Sequence, residues 1–106
     1  MNLKIFQTEL MELSKKLDSR IREVKFCIIF RQLKREENPG NSYVGWFFQS
    51  EAETSLAEAI TMLYSVDFEL FMLLEELRDE NYMFKRYSPL INELRLKAGN
   101  LLSRVS

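Results

Sequence analysis

Apolar residues open the chain at alternating spacings of three and four: Leu3, Phe6, Leu10, Leu13 and Leu17 mark one stripe of an amphipathic helix. Beyond Leu17 the stripe drifts to Ile21, Val24 and Ile28, within the dense run Phe26-Cys27-Ile28-Ile29-Phe30, and Asp18 or Ser19 offers a cap for a new start. Periodicity leaves two readings open, one long bent helix or two helices meeting near Asp18 to Val24, because neither proline nor glycine punctuates Leu17 to Lys25. The first firm break is Asn38-Pro39-Gly40-Asn41, where proline restricts its predecessor and glycine is free to take positive φ. Ser50, with Glu53 three residues on, predicts a capping box and a helix start. From there Leu56, Ala59 or Ile60, Leu63, Val66 or Asp67, Leu70, Leu74 and Leu77 continue a stripe for about 28 residues, roughly 42 Å of helix. Asn81 reads as a left-handed residue closing that helix. Ser88-Pro89 reads as the N-cap and first position of a last helix carrying Leu90 or Ile91, Leu94, Ala98, Leu101 and Val105.

Composition agrees with helices. Three glycines and two prolines in 106 residues are too few for a hairpin-rich fold, and 46% hydrophobic residues suffice for a core. The expectation is one all-α domain over residues 1–106. No apolar run approaches the roughly 20 residues of a spanning helix, and the alternating start Met1 to Gln7 lacks a signal-peptide core, so the reading places the chain in the cytoplasm without a membrane partner.

The chain has no histidine and one cysteine, Cys27. That removes histidine-based triads, histidine-containing zinc sets, paired-cysteine chemistry and internal disulfides, and it argues against an enzyme or a resident cofactor. Cys27, set in an apolar run, reads as a small buried hydrophobe. Glu75, Glu76, Asp79 and Glu80 lie close on a helix surface, yet a bundle metal site wants inward carboxylates with Glu-x-x-His pairs, so they read as a solvated face. Glu51 and Glu53 suit a helix N-terminus, and Gly40, Gly45 and Gly99 do not make a phosphate loop. The five methionines and the Phe68, Phe71, Met72 group read as core or as subunit interface.

Charge changes the picture more. Residues 1–37 hold nine Lys or Arg against six acids, residues 38–80 one against nine, and residues 81–106 five against one, so a net charge of −1 conceals a split chain. Acidic and basic helices can complement one another inside the bundle. Alternatively Arg31, Lys34 and Arg35, with Lys85, Arg86, Arg95 and Lys97, face outward toward an acidic partner or a phosphate backbone. Opposed faces also favour head-to-tail self-association. Tyr43, Trp46, Phe47 and Phe48 either close one end of the bundle or anchor an interface, and the lack of a local Lys or Arg weighs against base stacking.

The order of these features resembles the small bacterial four-helix-bundle proteins first noticed as products of intervening sequences in ribosomal RNA genes. Arg31-Gln32-Leu33-Lys34-Arg35 is similar to that family's Gln-Leu/Ile-x-Arg segment, and Glu51 through Leu77 to its long third helix. Glu80-Asn81-Tyr82-Met83 is similar to its Gly-Tyr-Ile/Leu turn, and Ile91-Asn92-Glu93-Leu94-Arg95 to the start of its last helix. The resemblance implies an antiparallel up-and-down four-helix bundle, with the break near Asp18 to Val24 supplying the fourth helix, and a ring-like homo-oligomer, a pentamer. It also implies kinship with accessory proteins of diversity-generating retroelements, which bind a reverse transcriptase and nucleic acid through basic surfaces. The expected role is a non-catalytic oligomeric scaffold or adaptor acting through protein contacts, with an accessory subunit of a nucleic-acid enzyme as the alternative.

Overall fold

Asn2 starts the first helix. Its Oδ1 accepts the backbone N–H groups of Lys4 (2.9 Å) and Ile5 (3.2 Å), and its carbonyl accepts that of Phe6 (3.0 Å), which satisfies donors that a helix N-terminus leaves unpaired. In the computed structural model, which describes residues 2–37 and 43–105 and, in the second segment, side chains from residue 50, α1 runs over Leu3–Glu37. α2 follows over Tyr43–Glu76 and α3 over Asn81–Val105. At 1.5 Å per residue the helices are about 52, 51 and 37 Å long. They form a rod of 60 × 21 × 15 Å with a radius of gyration of 17.9 Å, against about 13 Å for a compact domain of this length.

Among the described residues there are three helices and no strand, so the four-helix expectation is corrected to three. The break placed near Asp18 to Val24 does not occur. Leu17, Ile21, Val24 and Ile28 keep three-and-four spacing through it, with Leu17 and Val24 fully buried, while Asp18 and Ser19 stand exposed in mid-helix and cap nothing.

Two helix starts also move. α2 begins at Tyr43, seven residues ahead of the expected capping box, so Ser50 is already helical and its carbonyl accepts the Thr54 hydroxyl (3.0 Å). Glu53 reaches across to α1, to Arg35 (2.5 Å) and Arg31 (3.6 Å), in place of turning back on its own helix. The Asn38-Pro39-Gly40-Asn41 signal lies outside the described residues.

α2 ends in a tightened turn: the N–H groups of Leu77 and Arg78 donate to the Leu74 and Glu75 carbonyls (3.1 and 3.2 Å), and that of Glu80 to Leu77 (2.9 Å). The Glu80 carbonyl then accepts the Phe84 N–H (2.7 Å), which opens α3 about two turns before Ser88-Pro89. Tertiary packing explains the early start. Tyr87 is buried edge-on against Phe6 with ring centroids 5.0 Å apart, its hydroxyl accepts from Gln7 Nε2 (2.9 Å), and Met83 and Phe84 pack on the same core. Pro89 sits inside the helix on its exposed side, where it denies the Lys85 carbonyl its usual donor.

The pairs Lys16–Glu69 and Arg35–Glu53 set α2 antiparallel to α1, and Arg95–Asp67 sets α3 antiparallel to α2. Leu17, Val24, Leu63, Val66, Leu70, Leu77, Ile91 and Ala98 fill the seam with no exposure. No polar or charged residue is buried among the described residues, and no buried side-chain nitrogen or oxygen there lacks a partner. α3 lies chiefly on α2 and touches α1 least, so α1 keeps a broad outward face.

Candidate functional site

The basic residues singled out by sequence do not form one patch. Arg31 and Arg35 converge on Glu53 at the end of the rod where α2 begins. Lys34 lies beside them, its Nζ 3.4 Å from Glu37 and 5.4 Å from the Phe30 ring centroid. Lys85 and Arg86 occupy the first turns of α3, near the start of α1. Arg31 shares a groove with Leu101 and Arg104, so about 24 Å of helix separates its level from Lys85. Arg86 donates to the Tyr82 hydroxyl (3.2 Å) and stacks 5.5 Å from the Tyr87 ring, contacts that hold its guanidinium pKa above the ordinary value. Arg95 is half-buried, with Nε 3.0 Å from Asp67 and its guanidinium 5.1 Å from the Phe71 ring centroid. Lys97 is exposed. Much of the expected patch therefore neutralises acids on α2, the intramolecular arrangement that the charge split allowed. The side chains of Tyr43, Trp46, Phe47 and Phe48 lie outside the described residues; their backbone is part of α2.

What the structure displays instead is unburied apolar surface. On α1, Phe26, Ile29 and Leu33 point outward, the first two 67% and 59% exposed, and Phe26 stacks on Phe30 with centroids 6.3 Å apart. These residues fall at i, i+3, i+4 and i+7, a second stripe turned away from the buried line Leu17, Val24 and Cys27. On α2, Tyr64, Phe68 and Met72 recur every four residues on the outward side, with Phe68 61% exposed and 6.4 Å from Phe71 between ring centroids. Sequence reasoning took Phe26 to Phe30 as one apolar run and passed over its outward half. The signal was there, because five consecutive apolar residues on a helix cannot all face one neighbour.

Beside Phe68 and Met72 an open groove of about 390 Å³ runs between α1 and α2, lined by Leu13 and Leu73. Its rim carries Glu9, Glu12, Glu69 and Glu76 against one cation, Lys16, which pairs with Glu69 at 3.1 Å. Outside the groove, Arg22 and Lys25 flank the α1 stripe.

Reactive chemistry is sparse. Cys27 is buried, and desolvation, with a smaller contribution from the Glu23 carboxylate, pushes its thiol pKa above the ordinary value, which disfavours the nucleophilic thiolate. In the carboxylate cluster Glu75 pairs with Arg78 at 2.6 Å. No group of three or more His, Cys, Asp or Glu side chains is placed to hold a metal ion among the described residues, and none of the described helices is long and apolar enough to cross a membrane. Comparison of the chain with protein-family models, with curated proteins and with solved structures finds no match.

Proposed function

We propose that this protein is a non-catalytic helical-bundle scaffold or adaptor that works by assembling with further copies of itself through protein contacts. One observation carries the reading. Phe26, Ile29 and Leu33 on α1, with Tyr64, Phe68 and Met72 on α2, remain in solvent although the core is complete. Apolar residues scattered singly on a surface are ordinary; stripes at helical spacing on two helices are the pattern that partner helices cover. α2 is apolar nearly all round between Leu63 and Leu74, and a helix of that kind is normally enclosed on every side.

The resemblance noted above supports self-assembly and names a pentamer as the copy number to look for. The distribution of the basic residues gives the nucleic-acid alternative less, since Arg31, Arg35 and Arg95 already face carboxylates. Light scattering on the eluting protein at micromolar concentration tests the proposal. A mass of several copies is expected, falling toward 12.7 kDa for Phe68→Glu with helix content retained. A wild-type chain that elutes as a monomer throughout refutes it.

A further inference from the structure

Resting on that reading, we infer that the copies join head to tail, the outward α1 stripe of one seating in the acid-rimmed α1–α2 groove of the next. The stripe presents Phe26, Ile29 and Leu33 with Arg22 and Lys25 beside them; the groove presents Leu13, Phe68 and Met72 between Glu9, Glu12 and Glu76. Each is an apolar strip edged by one sign of charge, and the signs are opposite. Stripe against stripe would bring Arg22 and Lys25 onto their own copies, and groove against groove would crowd the carboxylates, so both two-fold arrangements are repelled. The heterologous pairing alone covers both strips and matches their charges.

Stripe and groove lie at different levels of the rod. From Leu13 to Ile29 is 16 residues, so each copy is displaced from the last by about 24 Å along the helix axes. A contact of this kind leaves one stripe and one groove open at the ends of any chain of copies, and growth stops only when the ring closes.

Charge reversal tests the pairing on the full chain. Arg22→Glu with Lys25→Glu makes one variant, and Glu9→Lys with Glu12→Lys makes another; all four side chains are exposed and outside the core. Each variant alone should be monomeric by native mass spectrometry at concentrations where the wild type assembles, a weakening of about a hundredfold or more. Mixed in equal amounts, the two should regain assembly with both variants in equal numbers, because each reversed surface now faces a reversed partner. Recovery on mixing also shows that both variants fold. Phe26→Ser, which removes the apolar knob and changes no charge, should dissociate the assembly as well. Variants that assemble like the wild type, a mixture that stays monomeric, or retention of assembly by Phe26→Ser overturns the head-to-tail contact while self-assembly itself stands. A monomeric wild type overturns both.

Discussion

Pro89 separates two accounts of the last helix. If α3 began at Pro89 with Ser88 as its cap, proline would occupy a favoured first position, Pro89→Ala would be nearly neutral, and Ser88→Ala would cost about 1 kcal/mol. In the structure α3 begins at Asn81, and Pro89 stands in its ninth position with no N–H for the Lys85 carbonyl. Proline in a helix interior is about 3 kcal/mol less favourable than alanine. Local relaxation around the ring recovers part of that, and the exposed position of Pro89 means that replacing it removes no core contact. The expected gain from Pro89→Ala is therefore about 1–3 kcal/mol, or at least about 4 °C in melting temperature at the scale of a 60–100-residue domain. Thermal unfolding followed by far-UV circular dichroism measures it, with protein concentration held fixed because assembly makes the midpoint depend on concentration. An unchanged or lowered midpoint for Pro89→Ala, together with a loss for Ser88→Ala, would refute a helix running through this point.

Other outcomes follow from burial and backbone geometry. Leu63→Ala, at the fully buried centre of α2, should cost about 2–5 kcal/mol in urea unfolding, whereas Leu96→Ala on the outer side of α3 should stay within about 0.5 kcal/mol. A Cβ added at the exposed Gly99 would meet nothing within 4 Å, so Gly99→Ala should stabilise α3 by about 0.5–1 kcal/mol, read from the same unfolding curves. Cys27, buried and held in its neutral form, should react with a disulfide reagent at pH 8 at least about tenfold more slowly in the native protein than in urea. Rapid native labelling would place the thiol at the surface.

Local pattern carried the all-helical architecture and most of the core. Phe6, Leu10 and Leu17 on α1, Leu56, Leu63 and Leu70 on α2, and Ile91, Leu94, Ala98 and Leu101 on α3 were all assigned to buried stripes and are buried. Helix boundaries were less legible, because tertiary packing overrode strong local signals. Tyr87 docking on Phe6 extends α3 ahead of a good cap, and Glu53 forgoes its capping role for two arginines on α1. The fourth helix came from resemblance, and uninterrupted spacing through Ile21 and Val24 shows why α1 does not divide. Charge segments told which helices attract one another, as Arg95–Asp67 and Lys16–Glu69 bear out, but which side of a helix a cation occupies depends on where its neighbours lie. The exposed face of Phe68 and Met72 is legible only once α3 has chosen its side of α2.

Native mass spectrometry of the unmodified full chain at micromolar concentration tests most directly whether these apolar stripes are covered by further copies. The account predicts a discrete multiple of the 12.7 kDa chain that dissociates on dilution. A single 12.7 kDa species at every concentration would contradict it.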